Sequence, residues 1–243
     1  MPITLAHPAL VLPLAGRLPL AALVVGSMVP DVPVFIPGWG LYDVSHSLRG
    51  LVLVDLPLAL LVLVVWHGVV RDALVDLAPA PVRNRHATRV RPTRREWLLS
   101  VPAAVIGAAS HIVWDAFTHQ NRWGVRAFEL LQETQGPLPG FKWAQYLSGV
   151  LGMGVVLAAA VQHVVRQPTL RDQSRPAALG PWAIPAVLLM SGALGLAAAA
   201  GASDGGLRFM AAAGVIDFVL TVVAGVLVLS LLWQWRSAAP RLR

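Results

Sequence analysis

The sequence predicts an all-α integral membrane protein, a polytopic helical bundle with about six apolar segments. Hydrophobic residues make up 56% of its 243 residues, charged residues make up 13%, and the mean hydropathy is +0.67. An ordinary soluble domain carries about 25% charged residues, so the composition excludes a soluble globule. It also excludes a disordered chain, because apolar residues are far too abundant.

Five continuous apolar segments are long enough to cross about 30 Å of hydrocarbon, which takes roughly 20 apolar residues. They cover approximately residues 51–70, 98–117, 146–165, 181–200 and 211–235. A sixth segment, from Leu18 to about Ile36, contains Val29-Pro30-Asp31-Val32-Pro33. Two prolines around a carboxylate cannot continue a regular helix, so we predict a break at Pro30-Asp31. Irregular backbone at membrane depth is tolerated only where it is buried in protein or lines a wet cavity, so the break indicates a site.

The basic residues are concentrated in alternate loops. Fourteen of the 19 Lys and Arg residues fall on one side of a six-span chain, namely Arg17, Arg71, Arg83, Arg85, Arg89, Arg91, Arg94, Arg95, Arg166, Arg171, Arg175, Arg236, Arg241 and Arg243. The other five are Arg49, Arg122, Arg126, Lys142 and Arg208. By the positive-inside rule, we expect both termini in the cytoplasm. No aromatic residue for base stacking interleaves with the arginines of 83–95, so we expect lipid and membrane as partners and no nucleic acid. The oligomeric state stays open.

The strongest chemical signal is the series His111-x3-Asp115-x3-His119 at the end of the second continuous apolar segment. Residues four apart on a helix share a face and lie about 6 Å apart along the axis. The two histidines would be roughly 12 Å apart on a regular helix, too far for one ion, whereas Asp115 between them has two oxygens. Because the chain has no cysteine, any metal must bind to His and carboxylates. The spacing suits two divalent ions with Asp115 shared, and the alternative is a hydrogen-bonded helix end.

Three further residues are candidates for the same site. Asp31 lies in the predicted break, His46 lies in a Val-Ser-His-Ser turn, and His7 lies near the start of the chain. In the six-span topology, Asp31 and His46 fall on the outer side with the His-Asp-His series. His7 does not, unless residues 1–16 fold inward.

The motifs resemble a known family when they are taken together. They are Met1-Pro-Ile-Thr-Leu-Ala-His7-Pro8, Leu23-Val-Val-Gly26-Ser27-Met28-Val-Pro30-Asp31, Ser45-His46-Ser47, Ser110-His111-x3-Asp115-x-x-Thr118-His119 and Lys142-Trp143-Ala-Gln145-Tyr146. This combination, over most of residues 1–155, resembles the DUF4184 family of bacterial membrane proteins, whose function is unknown. More distantly, the order of motifs is similar to membrane-bound metal-dependent hydrolases of the YdjM type and to zinc-dependent phospholipase C.

The resemblance implies a set of metal ligands, namely His7, Asp31, His46, His111, Asp115 and His119. The phospholipase pattern ends in a further His-x3-Glu pair, but here His163 is followed four residues later by Gln167. We therefore expect two ions, Zn or Mg/Mn, and not three. We also expect one membrane domain over 1–243, with the metal site in 1–155 and supporting helices in 156–243.

These residues together predict a membrane-embedded, divalent-metal-dependent hydrolase of a lipid-linked phosphate or phosphodiester. Asp115, His119 and His46 are the candidate catalytic residues. Arg49, Arg122 and Arg126 are candidates for binding phosphate oxygens, with exposed loop charges as the alternative. Two other functions stay open, a metal-dependent lyase or cyclase acting on an isoprenoid diphosphate and a non-enzymatic ion carrier. The carrier would use Asp31, Asp55 and Asp217.

Overall fold

The computed structural model describes residues 4–36, 38, 40–170 and 179–238. The start of the N-terminal motif, Met1-Pro-Ile, lies outside these residues, as do four of the arginines used for the topology, namely Arg171, Arg175, Arg241 and Arg243. The predicted all-α class is confirmed, because the described chain is mostly helical and its strands form only one small hairpin.

The helices and strands of the described residues are numbered here in chain order. The helices are α1 (Leu20–Met28), α2 (Tyr42–Ser45), α3 (Leu48–Leu77), α4 (Ala80–Arg83), α5 (Arg94–Thr118), α6 (Trp123–Ala127), α7 (Glu129–Gln132), α8 (Gly140–Arg166), α9 (Ala183–Gly201) and α10 (Leu207–Ala238). Short 3₁₀ helices cover Thr4–Leu10, Leu12–Leu14, Val29–Phe35 and Ser203–Gly205. The antiparallel hairpin consists of β1 (Thr134–Gln135) and β2 (Leu138–Pro139).

Five of these helices, α3, α5, α8, α9 and α10, are long and apolar enough to cross a membrane. They coincide with the five continuous apolar segments of the sequence. The interruption of the remaining segment is also present, because α1 ends at Met28 and a 3₁₀ helix continues over Val29–Phe35. Proline lacks a backbone N–H and cannot occupy the interior of a regular α-helix without kinking it, which explains the change at Pro30 and Pro33.

Two local features shape the helices nearest the candidate site. α5 begins with a capping box in which the Thr93 hydroxyl accepts from the Glu96 amide at 3.2 Å and the Glu96 carboxylate accepts from the Thr93 amide at 2.7 Å. In α3, the amide of Leu56 bonds to the carbonyl of Leu51, five residues back, just before Pro57. This π-turn offers the backbone an alternative to the hydrogen bond that the proline removes.

The described chain separates into two compact units, and the division falls within α3. The first unit comprises Met1–Leu63 and Pro92–Val165, and the second comprises Val64–Arg91 and Arg166–Arg243. All six predicted metal ligands lie in the first unit. Residues 64–91, which fall within the 1–155 part expected to hold the metal site, belong to the second unit.

The first unit is built around a close contact between α1 and α5. A Cβ atom added at Gly107 would lie 2.7 Å from the backbone nitrogen of Ser27, and one added at Gly26 would overlap the backbone of Ala104. The two backbones therefore approach each other closely at these glycines, as in other membrane helix pairs. Next to this contact lies a core of Val11, Ala22, Leu23, Leu63 and Ala103.

The second unit contains α9 and α10 and the end of α3. Two of its buried carboxylates accept hydrogen bonds from side chains of the same unit. Asp72 accepts from Arg71 at 2.9 Å and from Arg91 at 2.7 Å, and Asp76 accepts from the Trp233 indole at 2.7 Å. These contacts indicate that Asp72 and Asp76 have a structural role.

Candidate metal centre

The six predicted ligands meet in one cluster within the first unit. His7 comes from the first 3₁₀ helix, Asp31 from the 3₁₀ helix after α1, His46 from the residue after α2, His111 and Asp115 from α5, and His119 from the residue after α5. All are buried except His119, whose side chain is 20% exposed.

Four of them form a compact group of possible ligands. One ligand atom each from Asp31, His46, His111 and Asp115 can be chosen so that all four lie within 4.8 Å of one another. Oδ2 of Asp115 lies 3.4 Å from Nε2 of both histidines, and Oδ1 of Asp31 lies 3.5 Å from His111 Nε2 and 3.7 Å from His46 Nε2. Bonds of about 2.1 Å in a tetrahedron place ligand atoms about 3.4 Å apart. These four distances fit the ligand spacing around a tetrahedral ion.

The tautomers of the histidines support this interpretation. Nδ1 of His111 donates to the carbonyl of Ser27 at 2.8 Å, and Nδ1 of His46 donates to the carbonyl of Tyr42 at 2.8 Å. A neutral ring that donates from Nδ1 has a lone pair on Nε2. Both Nε2 atoms and Oδ2 of Asp115 are buried without a hydrogen-bond partner. Acceptors that face acceptors in a buried place are unfavourable unless a cation or proton lies between them, so the donor set fits a divalent metal.

The second oxygen of Asp115 faces another pair of histidines. Oδ1 lies 3.2 Å from Nε2 of His7 and 3.3 Å from Nδ1 of His119. The His7 ring stacks on the His111 ring with centroids 3.9 Å apart, and its Nδ1 donates to the carbonyl of Thr4 at 3.1 Å. Asp115 therefore stands between two pairs of histidines, one pair for each oxygen.

The position of His7 has a simple structural cause. The 3₁₀ helix Thr4–Leu10 packs against α1 and α5, and the side chain of Thr4 donates to Oδ2 of Asp31 at 2.6 Å. The N-terminal residues thus fold back onto the cluster and do not continue away from it. This is the inward fold that the sequence required if His7 was to join the site.

Only one of the three candidate phosphate-binding arginines is connected to the cluster. Arg49 and Arg126 are exposed. Arg122 is half-buried, with its guanidinium 6.0 Å above the Tyr42 ring and Nη2 3.8 Å from Oδ1 of Asp43. The Tyr42 ring in turn lies 4.1 Å from the His46 ring.

Tyr42 is a neighbour of the site that sequence reasoning missed. Burial, together with the negative charges of Asp31 and Asp115, raises the pKa of Tyr42 to about 12. Tyr42 therefore keeps its hydroxyl proton at any physiological pH and is a hydrogen-bond donor beside Arg122. The signal that could have found it is its position four residues before His46, one helical turn away.

Gln145 was also missed as a site residue, although it belongs to a segment that carried the family resemblance. Its side chain is buried, and its Nε2 lies 3.3 Å from Nε2 of His119. Its spacing gave no signal, because it lies 26 residues from His119 and reaches it from a different helix.

The two carboxylates of the ion-carrier hypothesis that are not candidate ligands are Asp55 and Asp217. Asp55 is buried and both its oxygens lack a hydrogen-bond partner, whereas Asp217 is half-buried in the second unit. No bond between either of them and the six ligands occurs among the described residues.

Comparison with known proteins identifies the family. The model of the family described as "Domain of unknown function (DUF4184)" matches residues 1–235. The chain therefore belongs to this family, as its motifs predicted. No match was found among curated proteins or among solved structures.

Proposed function

We propose that this member of the DUF4184 family is a membrane-embedded, divalent-metal-dependent hydrolase that acts on a lipid-linked phosphate or phosphodiester. The observation that supports it most is the position of Asp115, whose two oxygens each face a separate pair of histidines in a buried cluster. The cluster lies in a chain with five helices that are apolar enough to cross a membrane.

The two sides of Asp115 would bind two ions with different roles. Asp31, His46, His111 and Asp115 Oδ2 offer four ligands, which is the complete set of a tetrahedral zinc ion. On the other side, His7 Nε2 and Asp115 Oδ1 would supply two ligands, with His119 beside them, and water and a substrate oxygen would complete the coordination. Two such ions lower the pKa of a bound water towards about 7 and stabilise the attacking and leaving oxygens.

The surrounding residues are suited to a phosphate group. Arg122 would supply a positive charge, since its guanidinium lies 6.0 Å from the centroid of the Tyr42 ring, which contacts His46, and a guanidinium can bind two phosphate oxygens at once. The Tyr42 hydroxyl adds a second donor beside it. A polar cluster within an apolar helical chain suits a substrate whose headgroup enters the site while its tail stays in lipid.

The test uses the full chain in lipid nanodiscs, stripped with a chelator and reloaded with Zn, Mn or Mg. The reloaded protein is incubated in H₂¹⁸O with phospholipids, phosphatidic acid and isoprenyl diphosphates, and the released headgroups are analysed by mass spectrometry. We expect metal-dependent release of a headgroup with one ¹⁸O atom from water.

Asp31→Asn should abolish this release, because it removes a ligand charge without changing the size of the side chain. Asp217→Asn is the matched control, the same substitution in the second unit, and should leave the release unchanged. Unlabelled diphosphate released together with a hydrocarbon product that also lacks ¹⁸O would indicate a lyase and not a hydrolase. A protein that binds no divalent metal would refute the proposal altogether.

A further inference from the structure

The four histidines of the cluster do not present the same atom to Asp115. His7, His46 and His111 each donate from Nδ1 to a backbone carbonyl and turn Nε2 towards a carboxylate. His119 turns Nδ1 towards Asp115, at 3.3 Å, and Nε2 towards Gln145. His119 is therefore held by a different set of partners, and these partners decide which of its nitrogens has the proton.

The partner of Nε2 is a donor. Lys142 Nζ lies 2.8 Å from Oε1 of Gln145, and an ammonium group can only donate. The oxygen of the Gln145 amide therefore faces Lys142, and its NH₂ group faces Nε2 of His119 at 3.3 Å. An NH₂ group is satisfied only by a lone pair, so Nε2 of His119 is unprotonated.

The partners of Nδ1 are acceptors. The Thr118 hydroxyl donates its own hydrogen to the carbonyl of Trp114 at 3.2 Å, which leaves its oxygen free to accept from Nδ1 of His119 at 3.2 Å. Asp115 Oδ1 is an acceptor as well. Both sides of the ring thus lead to the same tautomer, with the proton on Nδ1.

We infer that Gln145, oriented by Lys142, fixes His119 as a hydrogen-bond donor to Asp115 Oδ1, so that His119 is a positioning residue and not a ligand of the second ion. This inference rests on the proposed two-ion site and refines it. The second ion then has two protein ligands, His7 Nε2 and Asp115 Oδ1, and its remaining positions belong to water and substrate. The first ion, with four protein ligands, is the tightly held one.

The experiment measures the tautomer and metal binding separately. The full chain is labelled with ¹⁵N-histidine in nanodiscs, and the His119 signals are assigned as those lost in His119→Gln. In the unaltered protein the ring proton should be on Nδ1. In Gln145→Glu the new carboxylate can only accept, so Nε2 should gain a proton while Nδ1 keeps its own, and the ring should have a proton on both nitrogens. Zinc titration of that variant should give an unchanged first site and a second site that is still present, because His119 is not one of its ligands.

A second variant tests the inference without changing the buried Gln145, where a substitution could cause a local folding defect. Lys142 is half-buried, and Lys142→Met removes the group that orients the amide, so the His119 proton should become distributed over both nitrogens. A proton on Nε2 in the unaltered protein would overturn the inference, as would a Gln145→Glu protein with an unchanged tautomer. Loss of zinc binding at both sites would instead overturn the proposed function, so the two failures are distinguishable.

Discussion

Gly107→Ala tests whether the contact between α1 and α5 builds the metal centre. The new Cβ would lie 2.5 Å from the carbonyl oxygen of Leu23 and 2.7 Å from the backbone nitrogen of Ser27. Both neighbours are backbone atoms and cannot rotate away. Restoring an ordinary contact of about 3.4 Å requires the helices to separate locally by roughly 0.7–0.9 Å.

That separation would act directly on a ligand. Residue 111 lies one turn after residue 107, and Nδ1 of His111 donates to the Ser27 carbonyl at 2.8 Å. Moving Ser27 away by that amount lengthens the contact to about 3.5–3.7 Å, which is no longer a hydrogen bond. Loss of a group that orients a metal-binding histidine costs about 10–100-fold in metal affinity. The overpacking itself should lower the free energy of unfolding by about 1–3 kcal/mol.

Competition with a chromophoric chelator in nanodiscs measures the zinc affinity, and thermal unfolding measures the stability. Gly154→Ala is the matched control, because a Cβ atom there meets nothing within 4 Å. It should keep wild-type affinity. If Gly107→Ala also bound zinc with wild-type affinity, the helix contact would not position His111 and the reasoning would be refuted.

Three other outcomes follow from the site and the sequence. Asp115→Asn should lower the binding affinity for both ions, since each oxygen of Asp115 faces its own pair of histidines. Asp217→Asn should keep the wild-type number of bound ions. Two ions bound with wild-type affinity in Asp115→Asn would contradict the bridging position. Because the pKa of Tyr42 is raised to about 12, the metal-free folded protein keeps this proton while the unfolded chain loses it near pH 10, so stability should fall between pH 10 and 12. The unfolding temperature of Tyr42→Phe should depend less on pH between pH 10 and 12. The same pH dependence in both proteins would contradict the raised pKa of Tyr42. Arg85→Cys introduces a single cysteine, because the chain has none of its own, and this cysteine should react with an impermeant thiol reagent only after the cells are permeabilised. Labelling in intact cells would contradict the predicted cytoplasmic position of this loop.

The helices and the outline of the site could be predicted from the sequence because both depend on local patterns. The apolar segments have the length of a membrane span, and the i, i+4 spacing places His111 and Asp115 on one face of α5. The break at Pro30 follows from the missing proline N–H. None of these features needs knowledge of distant contacts.

The remaining features depend on contacts between residues far apart in the chain. Gln145 reaches His119 from another helix, and its role depends on which way its amide faces, which Lys142 decides. Tyr42 lies beside the cluster because α2 carries it next to His46. The spacing and the family resemblance made His119 a candidate ligand, but a pattern of residue types cannot report which ring nitrogen has the proton.

Charge balance links the number of ions to the class of substrate. Asp31 and Asp115 bring two negative charges into a buried place, and ligand histidines are neutral when they bind a metal. One divalent ion at the four-ligand position makes the cluster neutral, which removes the penalty for burying two carboxylates. A second divalent ion gives it a net positive charge that complements a phosphate. Inorganic phosphate should therefore bind, by calorimetry, to protein loaded with two equivalents of zinc and much more weakly to protein loaded with one. Equal binding to both forms would mean that Arg122 and its neighbours, and not the second ion, attract the phosphate.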